Sequence, residues 1–403
     1  MRAINRILLF FISVLVGIQP SDAQDNLYGK AKAELLKGEY SQAVKTFSQV
    51  AIENPDDVLA WLGKGEAYFN LMEYDMALRD FYTAQSIESN ISSFWISKCY
   101  AMKSDPVKSL EALGNHLNSP YKLPEKEILL EPSYRKIEKS REWRSFWKND
   151  WYKPYENQKS DAAYQISRGN YSEAIEELNV LLNQNADDAQ LYYLRSMAYS
   201  NKGEENRGLI DLNIALNKDP DNPEYREERA KVYRTMGRQE DAVKDYSAVI
   251  KNYPEDFDAY LKRASALLEI KKYNQALLDV NYYLGFFKND HEAQFFAGEI
   301  CYESGKYHDA VIYLNKALDL NKGNEKYFIA RANTYVKMNT LGQAINDYSM
   351  ALDLNPNDAD IYFNRGIARL KANNSSDACY DFKKAFKMGK REALEYLQRN
   401  CGY

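Results

Sequence analysis

Residues 61–84, WLGKGEAYFNLMEYDMALRDFYTA, decide the fold. Trp61, Gly65 and Tyr68 stand at offsets of four and three, and Ala77, Phe81 and Ala84 repeat the same spacing further on. Such offsets place side chains on one face of an α-helix. The stretch therefore predicts two amphipathic helices joined by a short turn. Working outward, Ala43 lies 34 residues before Ala77 and Phe47 lies 34 before Phe81. Later in the chain Ala174, Gly208, Ala242, Ala276, Ala310, Ala344 and Ala378 follow one another at the same interval of 34. Leu178, Leu212, Tyr246, Val280, Leu314, Tyr348 and Phe382 run four residues behind them. An aromatic and a small residue four apart recur upstream, as in Tyr192/Ser196, Tyr260/Ala264, Phe328/Ala332 and Tyr362/Gly366. Small residues at a fixed phase mark where two helix backbones approach closely, and the aromatics fill the gaps between neighbouring repeats.

A 34-residue helix–turn–helix period with the pattern Trp61-x3-Gly65-x2-Tyr68-x8-Ala77-x3-Phe81-x2-Ala84 resembles the tetratricopeptide repeat family. The resemblance implies an all-α solenoid of about ten such repeats. It divides the chain into residues 24–118 (two repeats and a degenerate third, breaking down around Pro106), a connector at 119–154, and a main array of seven repeats within 155–403. The array ends in a capping helix over residues 391–400. The connector holds Pro120, Pro124, Pro132 and Pro154 and three of the five tryptophans. Trp143, Trp147 and Trp151 are spaced by four and predict one stripe on a helix. Such a stripe is either an exposed aromatic platform for a ligand or a cap on the short N-terminal array. An open solenoid end needs covering, which favours the cap. The break also looks like those inside exported repeat proteins of the Bacteroidetes type.

Composition agrees with helices. Gly (18) and Pro (11) make up about 7% of 403 residues, against roughly 12% in an average soluble protein. A many-stranded sandwich and a low-complexity chain are both excluded. Net charge is −5, with no dominant basic patch, so nucleic acid and anionic membrane are disfavoured as partners. Arg2 and Arg6 precede the apolar run at residues 7–18 (ILLFFISVLVGI), which is shorter than the roughly 20 residues a bilayer requires. Ser21-Asp22-Ala23 follows. The reading is a signal peptide over residues 1–23, cleaved after Ala23, and export to the periplasm, outer-membrane periphery or medium of a Gram-negative bacterium. No other stretch is apolar enough to span a membrane.

A charged pattern follows the repeat. Arg195, Arg229, Arg263, Arg331 and Arg365 share one phase, and Asp211, Asp245, Asp279, Asp347 and Asp381 share another, 16 residues on. The repeat holding Ala297 and Tyr313 lacks both. Presence and absence together point to structural ion pairs within each repeat, in preference to a ladder of ligand-binding arginines. Cys379 and Cys401 lie on either side of the turn near Gly389, 10 residues before it and 12 after. If the flanking helices are antiparallel the two sit at one height and can form a disulfide. Cys99 and Cys301 fall at core phases.

The family resemblance implies a concave face lined by the second, fifth, ninth, twelfth and thirteenth positions of each repeat. The fifth and twelfth positions of the later repeats are Leu261/Leu268, Phe295/Tyr302, Ile329/Val336 and Phe363/Leu370. In series they form an apolar, partner-binding groove, or else they pack on their neighbours. The Lys and Asn clamp of some family members is not seen at these positions. With three histidines, no metal-ligand spacing, no phosphate loop and no nucleophile beside a base, the chain reads as a non-enzyme without cofactor or metal. The expected function is a protein-interaction scaffold in an envelope assembly. The alternative is a carbohydrate-binding repeat protein of the outer membrane.

Overall fold

A computed structural model describes residues 22–402. Of the signal-peptide reading, residues 1–23, all but the last two residues lie outside the described residues. The N-terminal helices are α1 (Asp22–Leu36), α2 (Tyr40–Glu53), α3 (Val58–Asn70), α4 (Tyr74–Ile87), α5 (Ser93–Met102) and α6 (Pro106–Leu117). A connector follows, made of α7 (Glu125–Leu130), a 3₁₀ turn (Pro132–Lys136) and α8 (Arg141–Phe146). Next come α9 (Pro154–Arg168), α10 (Tyr171–Gln184), α11 (Ala189–Asn201), α12 (Glu205–Lys218), α13 (Pro223–Thr235) and α14 (Gln239–Asn252). The rest are α15 (Phe257–Glu269), α16 (Tyr273–Phe286), α17 (His291–Glu303), α18 (Tyr307–Leu320), α19 (Glu325–Lys337), α20 (Leu341–Leu354), α21 (Ala359–Lys371), α22 (Ser375–Lys387) and α23 (Ala393–Asn400). The helices form antiparallel pairs in an all-α solenoid of helical repeats. The chain divides into two compact bodies, one ending at Asp256 and the other beginning at Phe257.

Local chemistry sets the repeats. In several of them the first helix is opened by a side-chain cap at the preceding residue. Asp57 accepts from the Ala60 amide, Asp188 from Gln190, Asn222 from Tyr225 and Asp358 from Asp360 and Ile361. It ends in a left-handed residue at Gly169, Gly203, Gly237, Lys271, Gly305, Asn339 and Asn373, again 34 apart. In the turn after α11, the Glu204 amide donates to the Tyr199 carbonyl and closes the helix end. Gly fits that backbone without strain, and Asn tolerates it.

Within a pair the small residues of the first helix receive the large residue of the second. A Cβ on Gly65 would lie 2.6 Å from the Phe81 ring, and one on Gly366 would lie 2.7 Å from Phe382. Ala43, Ala77, Ala174, Ala242, Ala276, Ala310, Ala344 and Ala378 are fully buried.

Two expectations are corrected. The third repeat does not break down at Pro106. Pro106 occupies the first turn of α6, where its missing N–H costs nothing, and Asp105 caps that helix through the Lys108 amide. Trp143, Trp147 and Trp151 do not form a stripe on one helix. α8 ends at Phe146, Trp147 is its C-cap, and Trp151 lies beyond, stacked on Phe146 at 4.5 Å. The stacking of Trp151 on Phe146 and an indole N–H from Trp151 to the Phe146 carbonyl favour this tight turn over a continued helix. The rings pack inward on the N-terminal core, so they offer no exposed platform.

The connector docks by completing the repeat chemistry. Lys98 holds the phase that Lys64 holds one repeat earlier, where Lys64 pairs with Asp80 at 3.2 Å. The matching carboxylate position in the third repeat is Gly114, and Glu131 of the connector supplies the charge instead, 3.3 Å from Lys98. The buried His116 accepts the Leu123 amide on Nε2 at 3.1 Å.

Candidate functional site

The repeating charges come together as bidentate pairs inside each helix pair. Arg195 donates through Nε and Nη2 to Asp211, both at 2.8 Å. The corresponding contacts are 2.8 and 2.7 Å for Arg229–Asp245, 2.8 and 2.6 Å for Arg263–Asp279, 2.7 and 2.7 Å for Arg331–Asp347, and 2.9 and 2.8 Å for Arg365–Asp381. Sequence reasoning missed a third contact. The remaining Nη1 reaches back to the preceding repeat: to Asn179 from Arg195, Asn213 from Arg229, Asn315 from Arg331 and Ser349 from Arg365. The guanidinium thus ties three helices. The aspartates are buried, and their hydrogen bonds hold Arg195, Arg229 and Arg263 above the ordinary value against the opposing effect of burial. Such geometry fixes register and leaves the arginines engaged.

The exception is informative. In the α17–α18 repeat Ala297 stands for the arginine and Tyr313 for the aspartate. The Tyr313 hydroxyl donates to Asn281 at 2.8 Å, which restores the tie to the preceding repeat without any charge.

The eight expected groove residues are all half-buried. They do not act alike. Phe295, Ile329 and Val336 pack on the buried cluster of α18–α21, with the Phe295 ring stacked on Tyr327 at 4.7 Å. Phe363 and Leu370 pack on the C-terminal cluster, where Phe363 meets Tyr396 of α23 edge-on at 5.3 Å. Leu268 and Tyr302 instead line a pocket of about 440 Å³ between α15, α17 and α19. Leu261, on α15 like Leu268, is not among its lining residues.

The other walls of this pocket include Glu269, Glu299, Glu303, Lys271, Tyr273 and Asn333. Glu299 and Glu303 occupy the ninth and thirteenth positions of their repeat. Reading those positions beside the fifth and twelfth would have found them. Partial desolvation of the carboxyl against the pocket wall, and secondarily the Glu303 charge, holds Glu299 above its usual range, although the residue as a whole reaches solvent. Gly298 leaves room at the base, because any Cβ there would meet Leu314 at 2.8 Å.

A disulfide joins Cys379 of α22 to Cys401, just beyond α23. It pins the terminal helix over Phe382, with Leu397 and Ala393 fully buried beneath. Cys99 and Cys301 are buried free thiols, pushed up to about 12 and about 11 chiefly by burial. Among the described residues no group of three or more His, Cys, Asp or Glu is placed to hold a metal ion. No described helix is long and apolar enough to cross a membrane.

Tetratricopeptide-repeat family models match residues 28–87, 227–290 and 291–324, and a TPR repeat model matches 332–373. The C-terminal part of a TPR repeat-containing protein from Cytophaga hutchinsonii is 17% identical, with 59% of this chain and 99% of that chain covered and a TM-score of 0.53. A tetratricopeptide repeat protein from Parabacteroides merdae is 22% identical, with 62% and 99% covered and a TM-score of 0.47. No curated protein matches the chain. The chain belongs to the tetratricopeptide repeat family, a class of scaffolds that bind other proteins.

Proposed function

We propose that the chain captures a peptide or domain of another protein on the first-helix face of the C-terminal body, within an assembly of a Gram-negative cell envelope. The pocket between α15, α17 and α19 is the observation that carries this reading. It presents Leu268 and Tyr302 to solvent in a concavity of about 440 Å³, a size typical of ligand sites. Phe295, Ile329, Val336, Phe363 and Leu370 serve chiefly as the framework that sets the spacing of these helices. A carbohydrate-binding repeat protein would stack sugars on exposed Tyr and Trp rings, and the tryptophans of the connector are packed inward.

The test is affinity capture from a cross-linked envelope fraction, comparing the unaltered chain with Leu268→Ala/Tyr302→Ala. One envelope protein recovered by the first and depleted at least tenfold by the second supports the proposal. Equal recovery by both removes this surface from consideration.

A further inference from the structure

The pocket between α15, α17 and α19 has a base and a rim of opposite character. Its base is apolar, formed by Leu314, which is 1% exposed, beside Gly298 and Ala330. Leu268 and the Tyr302 ring make the walls. The rim carries Glu269, Glu299 and Glu303 against a single cation, Lys271, and all four are exposed. Glu299 and Glu303 stand one helical turn apart on α17, a spacing at which like charges repel. Neither forms an ion pair or hydrogen bond with another described residue. The neighbouring repeats neutralise their charges internally through Arg–Asp pairs. This repeat has lost its own pair and carries these two carboxylates outward instead.

We propose that this pocket receives one lysine or arginine side chain of a bound basic peptide. The apolar stem lies along Leu268 and Leu314, and the cationic head sits between Glu299 and Glu303 beside the Tyr302 ring. Long cationic side chains bury their stems on apolar surface while the head stays near water. A carboxylate pair and an aromatic face both attract such a head. The inference rests on the proposed peptide capture and names the chemistry of the captured segment.

The full chain, immobilised, is offered four libraries of acetylated, amidated nonapeptides, random except for a central Arg, Lys, Gln or Glu. Retention of the Arg and Lys libraries is expected to exceed that of the Gln library at least fivefold, and to weaken in 0.5 M salt as screening predicts. Glu299→Gln/Glu303→Gln should erase the preference. The charge-matched Glu173→Gln/Glu177→Gln in α10 should keep it, which separates this pocket from the general acidity of the chain. Equal retention of all four libraries, or a preference that survives Glu299→Gln/Glu303→Gln, overturns the inference and leaves peptide capture standing. Retention of no library above bare matrix overturns both.

Discussion

The repeat that lacks the ion pair provides a natural template for dissecting the others. In Arg331–Asp347 the guanidinium donates twice to the carboxylate at 2.7 Å, and the side chains are 20% and 8% exposed. At a 4 Å charge separation and an effective dielectric of 20 the attraction is about 4 kcal/mol. Arg331→Ala leaves a buried carboxylate without its counter-ion, a loss of about 3–5 kcal/mol for a pair this enclosed. Asp347→Tyr alone strands the guanidinium beside a neutral ring and should cost about as much. Arg331→Ala with Asp347→Tyr reproduces the Ala297/Tyr313 arrangement. The introduced hydroxyl is placed to donate to Asn315, as Tyr313 donates to Asn281 at 2.8 Å. The double variant should therefore lose only about 1 kcal/mol, the size of one neutral hydrogen bond and some repacking. Urea unfolding followed by far-ultraviolet circular dichroism measures the four proteins of the cycle. Hydrogen exchange at α19 and α20 shows whether the loss is local, as expected where repeats contact only their neighbours. A double variant as destabilised as the two single variants summed would refute the reasoning, because the sites would then be independent.

Reduction of Cys379–Cys401, which closes a separation of 22 residues, should destabilise the last repeat by about 3 kcal/mol; melting with and without reductant checks this, and thiol titration of the oxidised native chain should find Cys99 and Cys301 unreactive. The His116 imidazole, 1% exposed, is held down to about 4 by burial from an ordinary 6.5. Its neutral form is the one that folds, so its contribution is fully present above about pH 6.5 and is lost as pH falls toward 4. About 3 kcal/mol is at stake, and the urea midpoint of the N-terminal body should drop between pH 7 and 4.5, with a smaller drop in His116→Gln. Met72 sits at φ 64 in the turn between α3 and α4 and is 73% exposed, so Met72→Gly should raise stability by about 1 kcal/mol, read as an upward shift in melting temperature. Gly65→Ala should instead destabilise by about 1–3 kcal/mol, because the added methyl meets the Phe81 ring at 2.6 Å.

The repeat was legible because its signal is periodic. Each Ala at the closest helix crossing, and each aromatic or leucine four residues later, answers to the same local steric demand every 34 residues. The alternation of Arg and Asp, with the joint exception at Ala297 and Tyr313, exposed the helix-to-helix pairing for the same reason. Where the period fails, reading the sequence fails with it. The spacing of Trp143, Trp147 and Trp151 suggested one helix, yet the chain turns after Phe146 because ring packing and the Trp151 indole bond to the Phe146 carbonyl outweigh the helical register. Glu131 has no place in the repeat, and only the folded connector shows it replacing the carboxylate missing at Gly114.

The sequence by itself determined the class of fold, the number and phase of its repeats, and the residues that tie each helix pair, because these depend on contacts within one repeat or between immediate neighbours. The tertiary structure decided which half-buried residues remain available. Phe295 and Phe363 share a repeat position with Leu261, yet their rings are spent on Tyr327 and Tyr396, while Tyr302 and Leu268 open onto a pocket with Glu299 and Glu303. That division follows from how side chains of three successive first helices converge in space. No single helix period encodes it.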